Sequence, residues 1–347
     1  MKKKVVIGLS GGVDSSVAAY LLKEQGYEVI GVTLQTLEKD GGGAEDAESV
    51  AGTLGIPFHV INVCREFERE VIHTFVGEYM HGRTPNPCCM CNAGIKWKML
   101  LEWAEDIGAY YIATGHYARI DRLSNGRYAV CNSVTAKKDQ TYALYGLSQE
   151  QLAHTIMPVG EYEKEDIRKI AESIGISVAG KPDSQDICFI PDNDYAAFIK
   201  KRTGISCSRG NFVDMDGNIL GEHKGIFCYT IGQRKGLNLS MGKPVFVNEI
   251  RPETNEVVVG SEDIIFSTTL EAGNINLMGA QSIEPKDRFL AKIRYSHKGE
   301  MCTVTHIDIE NDIIKLEFDN PVRAVTPGQA VVLYNGPHVM AGAVIVR

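Results

Sequence analysis

The chain has 347 residues, 44% of them hydrophobic and 23% charged, with a formal net charge of −8. The length points to two or three domains, and the composition excludes a chain disordered throughout. The acidic balance excludes a general nucleic-acid binder with a broad positive field. Residues 1–196 carry 19 Lys+Arg against 27 Asp+Glu, whereas 197–269 carry 9 against 8 and 270–347 carry 8 against 9, so an RNA partner would have to be held by local basic patches.

Lys2-Lys3-Lys4 followed by Val5–Leu9 has the outline of a leader, but the apolar run is too short and Ser10-Gly11-Gly12 stops it. Lys4–Leu9 therefore predicts a buried strand. No other apolar stretch has the length to cross a bilayer, and the expected location is the cytoplasm. Helical spacing follows over Val13–Gln25, then a strand over Glu28–Leu34, a loop at Asp40–Gly43, a helix over Ala44–Leu54 and a strand over Pro57–Val63. Arg65–Met80 and Ile95–Ile107 predict helices, Tyr110–Thr114 a strand and Glu163–Ile174 a helix. Strands alternating with helices imply an α/β domain, a parallel sheet covered on both faces over residues 1–196. From Gly210 onward short alternating runs and turn pairs such as Asp216-Gly217 and Asn335-Gly336 predict two small β domains, 197–268 and 269–347, the last a β-barrel.

Ser10-Gly11-Gly12-Val13-Asp14-Ser15-Ser16 follows a strand and opens a helix. Glycines let backbone N–H groups turn toward an anion, the helix N-terminus adds its dipole, and the serine hydroxyls can donate to phosphate oxygens. Asp14 suits such a loop if it holds a cation such as Mg2+ that bridges to phosphate. The bland alternative is a glycine-rich turn with Asp14 or Ser15 as the helix cap.

Nine cysteines in a cytosolic chain are not a disulfide framework; clustered thiols there point to metal binding or catalysis. Cys64, Cys131, Cys207, Cys228 and Cys302 stand alone and read as small buried hydrophobes. Cys88, Cys89 and Cys91 are clustered, and Cys188 lies in Asp183-Ser184-Gln185-Asp186-Ile187-Cys188-Phe189-Ile190.

The loop at 10–16 resembles the SGGxDS element of the ATP pyrophosphatase superfamily, whose fold is the adenine-nucleotide α-hydrolase-like sheet. Gly82–Asn92, Asp183–Ile190, Thr114–Arg119, Lys138–Tyr142, Tyr229–Gly236, Arg294-Tyr295 and Pro327–Gln329 together resemble the tRNA 2-thiouridylases, nearly end to end. The resemblance implies ATP as cosubstrate, with Gly8, Leu9, Ser10, Gly11, Gly12, Val13, Asp14 and Ser15 around the phosphates and Leu34 and Gly115 at the adenosine. It implies that the O2 of a tRNA wobble uridine is adenylated and replaced by sulfur, with Cys188 carrying a persulfide and Cys91 the nucleophile that attacks it or forms a disulfide with it. A thiolate is the reactive form, so the Cys91 pKa is expected to fall, helped by the dipole of the helix beginning at Ile95. Asn86, Pro87, Cys88, His116, Lys138, Asp139, Gln140, Arg294, Tyr295 and Gln329 would contact tRNA of the glutamine, lysine and glutamate types. Sulfur would come from a cysteine desulfurase, directly or through a relay protein. Read without the resemblance, His116 is a polar strand end, Tyr295 a barrel core residue and Lys138-Asp139 a solvated turn.

The chain departs from the commoner family pattern at Cys88, where many members carry an acidic residue. Cys88-x-x-Cys91 with Cys188 offers three thiolates, the ligand set of a [4Fe–4S] cluster with one open iron. A structural zinc site, or persulfide chemistry with Cys88 as a spare thiol, are the competing readings. Two wider alternatives are another ligase of the same superfamily, which needs the loop but not the cysteine pair, and a non-catalytic RNA-binding protein with a structural metal.

Overall fold

The first strand forms where the sequence is most uniformly apolar: Val5, Val6 and Ile7 are fully buried in β1 (Lys4–Gly8), the centre of a parallel sheet. The computed structural model describes residues 3–38, 43–176, 187–204 and 208–347; Asp40–Gly42, Asp183–Asp186 and Cys207 lie outside the described residues. After β1 come α1 (Val13–Glu24), β2 (Glu28–Gln35), α2 (Gly43–Leu54) and β3 (Phe58–Asn62). Next come α3 (Cys64–Phe67), α4 (His73–Met80), α5 (Pro87–Cys91), α6 (Trp97–Asp106) and β4 (Tyr111–Ala113). A hairpin of β5 (Ala118–Arg122) and β6 (Tyr128–Asn132) precedes α7 (Gln149–Ala153), β7 (Thr155–Ile156), α8 (Lys164–Ser173) and α9 (Tyr195–Thr203). The sheet order is β3-β2-β1-β4-β7, every pair parallel. The chain winds outward in opposite directions from β1, so the crevice for a ligand opens beyond the C-terminal ends of β1 and β4.

Two helices differ from expectation for one reason. α3 runs into α4 through a π-turn at Glu68–Ile72, and α5 runs into α6 through a π-turn at Asn92–Lys96. Each π-turn interrupts the 3.6-residue repeat on which the sequence pattern relies. The helix expected to begin at Ile95 therefore begins at Pro87, with Asn86 as its cap. Cys88 lies in its first turn and Cys91 one turn further on, rather than before the helix.

A four-stranded sheet follows, order β10-β11-β8-β9, from β8 (Gly210–Val213), β9 (Ile219–His223), β10 (Phe246–Arg251) and β11 (Glu256–Gly260). It closes over its own core of Phe212, Val247, Val257 and Val259. The last unit comprises β12 (Phe266–Leu277), β13 (Arg288–Lys292), β14 (Glu300–Asp308), β15 (Ile313–Arg323), β16 (Ala330–Asn335) and β17 (His338–Ile345). These strands pair antiparallel in the order β12-β15-β14-β13-β16-β17, and β12 pairs again with β17, closing a six-stranded barrel. The residue-197 boundary proposed from sequence falls inside α9, whose Ile199 and Phe198 pack with Phe75 and Phe189 of the first unit.

The first unit and the barrel share a core. Trp97, Leu100, Ile112 and Tyr142 cluster with Met278, Val332, Tyr334 and Val339. The β5–β6 hairpin extends the barrel sheet through β17, where His338 pairs with Cys131 and its Nε2 lies 2.8 Å from Asp121 Oδ2. The ligand atoms of Asp121, Cys131 and His338 lie within 4.8 Å of one another, but Arg119 Nη2 donates to Cys131 Sγ at 3.3 Å and sets a fixed positive charge against the sulfur. We read this group as a latch across the joint. Among the described residues no helix is long and apolar enough to cross a membrane.

Because the core is shared, Tyr334→Ala is expected to cost about 3–5 kcal/mol, the range for emptying a buried aromatic site. Hydrogen exchange should speed up in α6 as well as in β16. Faster exchange confined to the barrel strands would contradict a common core.

Candidate active site

The loop after β1 lies at the expected crevice. Gly12 caps α1 without any side-chain bond, which leaves the first-turn N–H groups aimed out of the helix. Ser15 Oγ accepts from Ser10 N at 3.2 Å and donates to Gly12 O at 3.1 Å, and Ser16 Oγ donates to Gly12 O at 2.8 Å, so these hydroxyls shape the loop itself. Gly11 has φ +70°, a left-handed conformation that glycine adopts without strain. Leu9 and Val13 are buried, so they can serve a phosphate only through backbone. Leu34 sits near the end of β2, partly buried against the shared core. Gly115, just past β4, packs directly on α1: a Cβ there would come within 2.5 Å of Ser15 N and 2.7 Å of Asp14 C.

Asp14 is already engaged. Lys164 Nζ, at the start of α8, lies 2.7 and 2.9 Å from its two carboxylate oxygens, and the Tyr117 hydroxyl donates to Oδ1 at 2.6 Å. Neither the cap role nor a free metal ligand describes Asp14 in this structure. Sequence reasoning missed Lys164, because a lysine opening a helix carries no motif, and gave Tyr117, inside the Thr114–Arg119 match, no role of its own.

The thiols of two distant stretches come within electrostatic reach of one another. Cys188 interacts electrostatically with both Cys91 and Cys88, and all three with Lys96. Asn86 organises the first stretch: its side-chain oxygen accepts from Cys88 N at 3.1 Å and Cys89 N at 3.4 Å, with Pro87 in the first turn. Cys89 turns the other way, buried against the Tyr142 carbonyl. No two cysteines among the described residues are disulfide-bonded. Burial raises all three thiol pKa values, Cys188 to about 11, with the neighbouring sulfurs raising Cys91 and Cys188 further and Lys96 opposing. This overturns the expected fall at Cys91: loss of solvent outweighs both the helix dipole and the one nearby ammonium. Lys96, also missed from sequence, projects from the π-turn and is held by Asn92 Oδ1 at 3.0 Å, whose amide in turn donates to Ala143 O.

The residues assigned to RNA divide into two kinds. Asp139 is spent internally, accepting from Asn132, Ser133 and Thr141, and Gln140 Oε1 accepts from Tyr117 N at 2.8 Å. Gln329 Nε2 donates to Thr84 O at 2.8 Å, clamping the barrel onto the loop that leads to Asn86, and Arg294 Nη1 donates to Arg323 O. Tyr295 is different. It is exposed rather than a barrel core residue, its hydroxyl reaches Asp139 O at 3.1 Å, and it is close enough to Lys138 and Cys88 to interact with both charges. A barrel loop thus comes near Cys88. His116 bonds Thr114 Oγ1 at 3.0 Å and stands beside Trp97; loss of solvation, with Lys96 adding, holds its pKa well below the usual imidazole range.

The comparisons agree along the chain. The tRNA methyl transferase HUP domain family matches residues 3–192, the tRNA methyl transferase PRC-barrel domain 196–261, and the aminomethyltransferase beta-barrel domain 267–345. A tRNA-specific 2-thiouridylase MnmA of Lachnoclostridium phytofermentans is 56% identical over 99% of this chain and 100% of its own. That of Clostridioides difficile is 50% identical over 99% and 98%. Among solved structures, a 4-thiouridine synthetase–RNA complex with bound ATP is 17% identical, with TM-score 0.37, over 58% of this chain and 50% of that one.

Two outcomes follow from this geometry. Gly115→Ala forces its new methyl group into the backbone of α1 and should weaken ATP binding about tenfold or more, read by calorimetric titration, at a stability cost of about 1–3 kcal/mol. His116 is neutral when folded, and the unfolded chain takes up a proton near pH 6.5, so the stability linked to it is complete above about pH 6.5 and is lost as pH falls below that value. His223 and His297, also lowered by burial, add to the same loss. Urea unfolding at pH 7.5 and 5.5 should show a smaller acid loss in His116→Gln; an equal loss in variant and parent would remove His116 from the account.

Proposed function

The chain belongs to the tRNA-specific 2-thiouridylase family, and on that premise we propose that it uses ATP to replace O2 of a tRNA wobble uridine with sulfur. The observation that carries the reading is that Cys91 and Cys188, nearly a hundred residues apart, come within electrostatic reach of one another and of Lys96, which also acts on His116, the neighbour of Gly115 against the phosphate loop. A methyltransferase, as two of the domain descriptions have it, requires neither a thiol pair nor an ATP loop.

O2 of the uracil attacks the α-phosphorus, pyrophosphate leaves, and the base is held as an O2-adenylate. The terminal sulfur of a Cys188 persulfide attacks C2, and the C2–O2 bond breaks with AMP as leaving group. The Cys91 thiolate then attacks Sγ of Cys188, the S–S bond breaks toward the base, and 2-thiouridine departs, leaving a Cys91–Cys188 disulfide for a cellular thiol to reduce. A cysteine desulfurase or relay protein restores the persulfide. The α1 terminus binds the phosphates, with Mg2+ as the usual companion of ATP. Tyr295, exposed and near Cys88, is the stacking platform for an unstacked base of a glutamine, lysine or glutamate tRNA. Lys96 offsets negative charge on sulfur.

Cys88 favours a second reading of the sulfur carrier. Its thiol interacts with those of Cys91 and Cys188, and three thiols are the ligand set of a [4Fe–4S] cluster with one open iron, whereas a structural zinc takes four ligands. Cys88, Cys91 and Cys188 would hold such a cluster, which supplies an open iron for hydrosulfide.

Nucleoside mass spectrometry of tRNA from a deletion strain tests the function. 2-Thiouridine derivatives should vanish, return with the parent gene, and stay absent with Cys91→Ala or Cys188→Ala; their persistence in the deletion strain would sink the assignment. Cys88→Ala separates the carriers. Loss of 2-thiouridine together with loss of iron and sulfide from anaerobically purified protein supports the cluster, whereas a fully active, iron-free parent discards it.

A further inference from the structure

We propose that Cys88 is the resolving thiol of the sulfur-transfer cycle: it takes Cys91 over from the Cys91–Cys188 disulfide, so that a turnover ends in a Cys88–Cys91 disulfide and Cys188 is free to be loaded again. The inference rests on the persulfide reading of the thiouridylase reaction and adds the step that follows product release.

The chemistry creates the need. Each turnover through a Cys188 persulfide leaves Cys91 and Cys188 joined, and a joined Cys188 carries no sulfur. A third thiol stands within electrostatic reach of both. The ordinary role of a lone cysteine, a small buried hydrophobe, does not describe it, because Cys88 is exposed at the start of α5.

Position decides which sulfur Cys88 attacks. Cys88 and Cys91 stand three residues apart on α5, and side chains so spaced share a helix face with Cβ atoms ~5–6 Å apart. A disulfide brings them to ~3.8 Å. The first turn can close that difference. The N–H groups of Cys88 and Cys89 are held by the Asn86 side chain, and Pro87 has no N–H, so tightening the turn breaks no helical bond donated from these three residues. Cys89, between the two, is kept out of the exchange by burial against the Tyr142 carbonyl. Cys188 belongs to a separate segment, anchored through Phe189 on Phe67 and Phe75. Attack on Cys91 therefore joins neighbours on one helix, whereas attack on Cys188 would have to draw two anchored segments together and would leave the carrier blocked.

The step balances. Cys88 gives up its proton and its sulfur bonds to Cys91 Sγ; the Cys91–Cys188 bond breaks, and its electron pair leaves with Cys188 as thiolate. One disulfide replaces another without net oxidation. Lys96, which acts on all three sulfurs, offsets the charge on the one that leaves. The cellular thiol then reduces Cys88–Cys91 while Cys188 is already available for sulfur.

The test identifies the disulfide left by one turnover. Full-length protein, purified anaerobically and charged with inorganic polysulfide, is mixed with ATP, magnesium and an unmodified lysine-type tRNA transcript without reductant. It is then quenched in acid, capped with N-ethylmaleimide and digested with trypsin. Cys88 and Cys91 share the peptide Thr84–Lys96, so their disulfide is internal to one peptide, whereas Cys91–Cys188 joins two. The internal Cys88–Cys91 form should be the major product of the parent, with Cys188 capped, and Cys88→Ser should shift the disulfide wholly to the two-peptide form. The same proteins in glutathione buffers of graded potential, without tRNA, give a check independent of turnover: the parent should form Cys88–Cys91 before any link to Cys188. A two-peptide disulfide predominating in the parent, in either experiment, would overturn the proposal. So would 2-thiouridine formed with no disulfide at all, which would assign the sulfur to another carrier. Failure of the parent to make any 2-thiouridine would instead overturn the thiouridylase reading beneath it.

Discussion

A knot of aromatic rings holds the site together. Phe189 meets Phe67 edge-on at 5.7 Å and Phe75 at 5.3 Å, and Phe198 of α9 closes over it at 5.4 Å. Phe189 is the neighbour of Cys188, and Phe67 and Phe75 belong to the π-interrupted helix that packs with Ile95 and Cys91. Burying these rings is therefore what fixes one sulfur-bearing segment against the other. Aromatic pairs add about 0.5–1.5 kcal/mol each beyond the area they bury, and several converging on Phe189 make a firm anchor beside a reactive residue. Chemistry at Cys188 depends on a hydrophobic contact one residue away.

The barrel bears on the same place from the other side. Gln329 clamps Thr84, and Thr84 N donates to Pro327 O at 2.8 Å, so the segment leading to Asn86 and the helix cap is gripped by the C-terminal unit. Tyr142 hydroxyl donates to Ala330 O, and Tyr295 reaches back to Asp139. The barrel is thus a wall of the thiol pocket rather than an appended RNA handle. A shared core makes the wall rigid, because a barrel free to swing would have to expose Trp97 and Tyr334 together.

Sequence reading reached the sheet and the glycine-rich turn at the end of its first strand because both rest on a local signal, an apolar run ended by glycines. It did not reach the helix start at Pro87, because the π-turn at Asn92–Lys96 shifts the buried face. It did not reach the joining of β6 to β17 either, since that pairing spans more than two hundred residues and depends on which edge the hairpin finds. Lys96 and Lys164 were invisible for another reason. Lysines in helices are ordinary, and only the fold reveals that these two are enclosed among sulfurs and a carboxylate. Asn86, Asp139, Gln140 and Gln329 were expected to contact RNA; in this structure their side chains bond to the protein itself.

Charge explains how an acidic protein can serve an acidic substrate. The whole excess of −8 lies in the first unit, which also contains the phosphate loop and all three of Cys88, Cys91 and Cys188. Burial keeps Cys88, Cys91 and Cys188 protonated near neutrality, so in its resting form the thiol pocket carries the positive charge of Lys96 without three sulfur anions to cancel it. Were the thiols already ionised, the pocket would present a net charge of about −2, from three thiolates against one ammonium, and would repel phosphate at the distance where the base must enter. Raised thiol pKa values are often read as inertness. Here they leave a locally cationic pocket inside an anionic protein, and they defer thiolate formation until a partner that can stabilise the charge is in place.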